Sequence, residues 1–184
     1  HLKTFSFRYV GLPGLGWKRM NYLSRFLESA KNLKFLSLSF SVTLNNDQHK
    51  EAFIYLVKVL GRLTQFEKFS IQLHSSILSQ ECFFYFGRAI EKLQKLNEFN
   101  CDVIANSGAS ILFLRNLLVP LHGLENLERV KVAVASENIR PSDINIGLGE
   151  CFSLMKNIQV IQMMITGLTD DDVLETVHSL PNPM

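Results

Sequence analysis

Cysteine, proline and tryptophan are scarce in this chain of 184 residues, which holds three, five and one of them. Cys82, Cys101 and Cys151 are odd in number and scattered, with no C-x-x-C pair and no histidine at metal-ligand spacing. They read as reduced thiols packed in a core, which argues against a disulfide frame and against a zinc site. Long apolar runs are also missing. Phe53-Ile54-Tyr55-Leu56-Val57 is among the longest, and a helix crossing a bilayer needs about 20 apolar residues. Residues 1–20 carry Gly and Pro where a secretory signal would hold its apolar centre, so no signal is read there. Charge of one sign is absent too: 19 Lys and Arg face 17 Asp and Glu, a net charge of +2. Association driven by bulk charge is therefore not expected.

What the chain does have is apolar residues, 47% of the total. That is too many for a disordered chain and enough for one core, so residues 1–184 are expected to form one domain. The apolar residues follow a long period. Leu33-Lys34-Phe35-Leu36-Ser37-Leu38-Ser39-Phe40 is apolar at its positions one, four, six and eight. The same pattern starts at Leu2, Phe66, Leu96, Leu127 and Ile158, so the six starts lie 31, 33, 30, 31 and 31 residues apart. Alternation at positions four to eight is period two, the mark of a strand with one buried face.

Between the strands the period changes. Counting back from each strand pattern, apolar residues stand ten, six and three places before it. Leu23, Leu27 and Ala30 are the first set, followed by Leu56, Leu60 and Leu63, then Phe86, Ile90 and Leu93. Leu117, Leu121 and Leu124 follow, then Leu148, Phe152 and Met155. These offsets share one face of an α-helix. Val173, Val177 and Leu180 extend the rule to the last unit. Ser79, Asn46-Asp47 and Thr169-Asp170-Asp171-Asp172 supply helix-start chemistry. The fifth helix is expected to be short or irregular, because Arg140-Pro141-Ser142, Gly147 and Gly149 interrupt it.

Alternating strands and helices imply parallel strands with helices covering one side. Each unit must stack on its neighbours to bury its apolar residues. On these residues the chain resembles the leucine-rich-repeat family, in its long-unit, ribonuclease-inhibitor-like form. The first three apolar positions of that family's L-x-x-L-x-L word match in all six units. The Asn position of the family holds Val10, Ser41, His74, Ile104, Ala135 and Thr166 instead. The resemblance implies an α/β solenoid, a horseshoe arc of about six repeats with strands on the concave face and helices on the convex one. The first strand opens at Leu2, and Pro181-Asn182-Pro183-Met184 stands where a seventh would begin, so an excerpt of a longer array is the expectation.

The resemblance implies a concave docking surface built from the outward strand residues. Those are Ser6, Arg8, Ser37, Ser39, Ser70, Gln72, Asn100, Asp102, Lys131, Ala133, Gln162 and Met164. Arg8 and Lys131 against Asp102 nearly cancel, and no basic stripe with stacking aromatics is seen there, so nucleic acid is not the expected partner. The glycine-rich segment Gly11–Gly16 lacks the Gly-Lys-Ser/Thr ending of a phosphate loop and reads as a connection. Trp17 is expected to pack on the first helix or on a neighbouring unit. Asp170-Asp171-Asp172 point three ways on a helix and read as a cap. His49, His74, His122 and His178 share no offset, and Glu28, Glu51 and Glu91 read as surface residues. No catalytic residue, metal site or cofactor is read from the sequence.

The expected function is a non-enzymatic protein-interaction scaffold without small-molecule substrate, nucleic acid or membrane insertion. The family also includes GTPase activators and ubiquitin-ligase substrate adaptors, which form the alternative; Arg8, Lys18 or Arg19 would face a GTPase. The reduced cysteines and the missing signal imply a cytoplasmic location, and the family's roles make a cytoskeletal or ciliary assembly the finer expectation. One consequence concerns the core alone. Leu60→Asp places an unpaired charge between units and is expected to cost several kcal/mol. A thermal melt that does not move would show that the helix phase is wrong.

Overall fold

A computed structural model describes residues 2–10, 16–41, 47–74, 79–104, 116–135 and 158–166. Strands and helices alternate: β1 (Thr4–Val10), α1 (Gly16–Ser29), β2 (Phe35–Ser41), α2 (Asp47–Leu60), β3 (Lys68–His74), α3 (Gln80–Ile90), β4 (Glu98–Ile104), β5 (Arg129–Ala135) and β6 (Val160–Thr166). The six strands form one parallel sheet in chain order. Each strand has seven residues and starts at the third position of the eight-residue pattern.

One face of the sheet is covered. From β2 to β5 the residues at pattern positions four and six are all buried: Leu36 and Leu38, Phe69 and Ile71, Phe99 and Cys101, Val130 and Val132. They join Leu23, Leu27, Leu56, Leu60, Phe86, Ile90, Leu117 and Leu121 in one continuous core. At about 1.5–3 kcal/mol for each fully buried large apolar side chain, this burial is what holds helix layer to sheet. Its centre is aromatic. Phe86 of α3 lies 6.4 Å from Phe53 of α2, 6.3 Å from Phe69 of β3 and 6.5 Å from Phe99 of β4, by ring centroid. Such pairs add about 0.5–1.5 kcal/mol beyond their area. At β1 the covering is thinner, and Phe5 and Phe7 are only half-buried.

The expected helix phase is right at its first step and differs at its last. In α1, α2 and α3 the residues ten and six places before the strand pattern are one α-helical turn apart. The chain then leaves the helix through two successive i→i+3 bonds. The Ala30 N–H donates to the Leu27 carbonyl and Leu33 to Ala30, at 2.9 and 3.1 Å. Leu63 and Phe66, Leu93 and Leu96, and Leu124 and Leu127 repeat the arrangement. A spacing of three keeps these side chains on the core side while the backbone tightens.

The fourth unit departs from expectation. Residues 116–118 are helical, but Val119–Gly123 is a 3-10 helix with Pro120 near its start. Proline has no N–H to continue an α-helical ladder. Leu117, Leu121 and Leu124 are nonetheless all buried. This segment lies very close to α3. A Cβ on Gly87 would stand 2.1 Å from the Asn116 carbonyl oxygen and 3.0 Å from the Pro120 ring.

Other sequence features find their places. The Ser79 side chain accepts from the Cys82 N–H and caps α3. Trp17 begins α1 half-buried against the core, with the Lys18 ammonium 5.3 Å from its ring centroid. Cys82 and Cys101 are buried and not disulfide-bonded, and burial pushes both thiols above their usual range. Cys151, Gly11–Leu15, Asn46, the fifth helix, the Thr169–Asp172 cap, the last helix and His178 lie outside the described residues. Among the described residues no helix is long and apolar enough to cross a membrane.

Gly87→Ala must push the 116–120 backbone away from α3. The expected cost is about 1–3 kcal/mol, read as a lower urea midpoint. An unchanged midpoint would show that the two segments can separate freely.

Candidate functional site: the exposed sheet face

The strand registers convert the outward residues into straight rows. Ser6, Ser37, Ser70, Asn100, Lys131 and Gln162 are partners from strand to strand and form one row. Arg8, Ser39, Gln72, Asp102, Ala133 and Met164 form the next. All twelve sequence-predicted positions thus lie on one face, which at about 4.8 Å per strand step is roughly 24 Å wide. Ser6, Arg8, Ser37, Gln72, Lys131 and Gln162 are exposed, and Ser39, Ser70, Asn100 and Asp102 are partly so. Two positions qualify the expectation. Ala133 is only 5% exposed, and its methyl offers no docking side chain. Met164 takes its backbone place beside Ala133, and its side chain lies outside the described set.

Two further rows were missed; Val10, Ser41, His74, Ile104, Ala135 and Thr166 close the six strands in register. Thr4, Phe35, Lys68, Glu98, Arg129 and Val160 open the six strands in register. They share the parity of the two rows above and therefore the same face. The signal was present in the pattern, because position three has the parity of five and seven. The row through Lys68 changes the charge of the face. Lys68 donates to Glu98 at 2.9 Å, and the Asn100 amide donates to the other oxygen of that carboxylate at 3.3 Å. Arg129 stands beside Glu98 on the next strand. The bond from Lys68, helped by Asn100 and the Arg129 charge, holds the Glu98 carboxyl below its usual range against partial burial. Arg129 and Lys131, two residues apart on β5, project on the same face. The cations Arg8, Lys68, Arg129 and Lys131 outnumber the anions Glu98 and Asp102, so the near-cancellation expected from Arg8, Lys131 and Asp102 does not hold for the whole face.

Of the other titratable candidates, His74 ends β3 in register with Ser41 and Ile104, at a position of outward parity. His49, His122, Glu28, Glu91, Lys18 and Arg19 stand apart from this face. His49 is buried in α2, where burial lowers its pKa. His122 faces the Val119 carbonyl within its own 3-10 helix. Glu28 accepts from Tyr55 and Arg62, and Glu91 from Arg88, all on the helix layer. Lys18 and Arg19 lie on α1, with the Arg19 guanidinium 4.7 Å from the Tyr9 ring centroid. The structure therefore brings none of His49, His122, Glu28 and Glu91 to the sheet face. Among the described residues, no group of three or more His, Cys, Asp or Glu could hold a metal ion. The larger of two described clefts, about 430 Å³, is lined by Glu28, Lys31, Val59, Arg62, Leu63, Thr64 and Gln65, at the ends of α1 and α2.

The described residues define an α/β fold whose parallel sheet alternates with helices that cover one face, with no described helix on the other. Compared with known proteins, the chain matches no family model, no curated protein and no solved structure.

Glu98 gives the site a pH signature. A carboxyl held below its unfolded value of 4.5 adds stability above that pH and loses it as pH falls through the folded value. Glu98→Gln is therefore expected to flatten the acid side of the melting curve as pH falls below 4.5. Parallel curves for the two proteins would show that the Lys68–Glu98–Asn100 group does not act as a unit.

Proposed function

We propose that this chain is a leucine-rich-repeat-type solenoid of one domain that binds another protein through its exposed sheet face, without catalysis of its own. The observation that carries the reading is the unbroken register. Six strands place twenty-four outward positions in four rows, so the polar residues of distant units form one surface. A one-dimensional stack supplies such wide, rigid faces. The composition of the rows suits a folded protein edge or an extended segment. Serines on β1 to β3 keep the surface low, while Lys68, Asn100, Asp102, Arg129 and Lys131 supply directed hydrogen bonds and charge on β3 to β5. The buried, unpaired thiols of Cys82 and Cys101 suit a reducing compartment such as the cytoplasm.

Affinity purification of the tagged full-length protein tests the reading, with Ser70→Arg/Lys131→Glu as the comparison. Both positions lie in the row that opens with Ser6, and neither contributes to the core. Proteins retained by the wild type and lost from the variant, with melting temperature unchanged, are the expected result. Identical sets from the two proteins would remove the sheet face as the docking surface. Recovery of a small GTPase or of ligase subunits on that face would turn the reading toward a regulatory protein.

A further inference from the structure

Three consecutive helices carry the same four-residue word at the same place in the repeat. Tyr22, Tyr55 and Tyr85 each stand eleven residues before a strand pattern, and Arg25, Lys58 and Arg88 each stand eight before it. A spacing of three puts each tyrosine and its cation on one side of a helix. Helix α2 packs between α1 and α3, so the words line up into two rows across the helix layer. Tyr22 is 68% exposed and Tyr55 37%. Tyr85 is half-buried, and Arg25, Lys58 and Arg88 are all exposed. At about 8–10 Å between helix axes, each row runs roughly 20 Å.

Folding does not require this stripe. Packing between units is done by Leu23, Leu56 and Phe86, which occupy the next position and are buried. Single exposed aromatics are ordinary, but aligned tyrosines beside aligned cations combine two residue types enriched in binding hot spots. The cations are only partly satisfied internally. Arg88 donates to Glu91 at 2.9 Å. Among the described residues Arg25 makes no ion pair, and the Lys58 ammonium lies 4.9 Å from the Tyr85 ring centroid rather than on a carboxylate.

We propose that this stripe on the outer helix layer docks an acidic amphipathic helix of another protein. Seven residues of an α-helix rise about 10.5 Å, close to the distance between neighbouring helices of this layer. A partner helix crossing α1 to α3 therefore meets one cation per unit with acidic residues a heptad apart, and lays its apolar stems on the exposed Tyr22 and Tyr55 rings. A nucleic acid fits less well. Lys58 already covers the Tyr85 ring, and Glu28 stands beside the tyrosine row, with the Tyr55 hydroxyl donating to it at 3.1 Å. This surface lies opposite the sheet face, so each can fail without the other.

Fluorescence anisotropy with a labelled, helix-forming peptide of about three heptads tests the proposal, with one Glu per heptad on a single face and a Gln counterpart. The wild-type protein is expected to bind the Glu peptide at least about tenfold more tightly than the Gln peptide, the scale of a few charge pairs at an interface. Tyr22→Ser/Tyr55→Ser leaves the net charge unchanged, and Arg25→Gln/Lys58→Gln leaves the rings. Each is expected to weaken binding at least about fivefold with the melting temperature kept. Lys31→Gln/Lys92→Gln, an equal loss of charge off the stripe, should bind as the wild type does. Undiminished binding by the tyrosine variant, or an equal loss in the Lys31/Lys92 control, would reduce the effect to general charge and overturn the proposal. Tighter binding to phosphatidylserine vesicles or to oligothymidylate than to the Glu peptide would overturn it as well.

Discussion

One backbone carbonyl per unit sets the architecture. At pattern position two, the carbonyl of Lys3 accepts from the N–H groups of both Lys34 and Phe35, at 2.8 and 3.0 Å. Lys34 does the same for Glu67 and Lys68, Glu67 for Asn97 and Glu98, Asn97 for Glu128 and Arg129, and Glu128 for Gln159 and Val160. Each junction therefore starts its strand pairing at the same residue. Side-chain period in a strand is two, so a slip of one residue would turn every buried side chain toward water. The double bond at the strand entrance works against that slip. The ion pair between Lys34 and Glu67, from position two of neighbouring units, reinforces the same junction.

Much of this order is legible in the sequence because burial leaves a periodic trace. Leu36, Leu38 and Phe40 alternate with Ser37 and Ser39, and only a half-covered strand explains both sets. The structure places them as the alternation requires, buried against exposed or half-buried. The helix exits are less legible. Leu27, Ala30 and Leu33 are spaced by three, which suits the side of an α-helix and two 3-10 turns equally, and only the backbone bonds tell them apart. Pro120 was the readable signal in the fourth unit, and the apolar spacing of Leu117, Leu121 and Leu124 outweighed it. In the folded chain both are honoured: the leucines are buried and the backbone changes its winding.

The exposed positions are harder to read, because solvation imposes no period of its own. The rows through Ser70 and Gln72 follow from strand parity, and the row through Lys68 follows from the same parity one step earlier. What the sequence does not carry is the environment. Ala133 has outward parity and is still buried. Glu98 has a lowered pKa because Lys68, Asn100 and Arg129 come to it from three strands. The Tyr-x-x-Arg/Lys word is different. It is plain in the sequence at 22–25, 55–58 and 85–88, and a search for apolar repeats passes over it because its residues are not in the core.

Repeats in exposed residues and repeats in buried residues have different causes. Stacking requires every unit to bury a similar set of side chains, so buried repeats are the expected cost of the fold. Water accepts almost any polar residue, so stacking leaves the exposed positions of neighbouring units free to diverge. They have done so on the sheet, where one row reads Ser, Ser, Ser, Asn, Lys, Gln. They have not done so on the helix layer, where three units keep a tyrosine and a cation at fixed places. The two faces therefore suit different contacts. The sheet offers low, varied hydrogen-bonding groups that favour selectivity for one shape. The helix layer offers large rings and repeated charge, which favour area and a partner with a repeat of its own. The buried layer between them fixes the distance from one face to the other, so on the proposed reading the two contacts do not compete for the same surface.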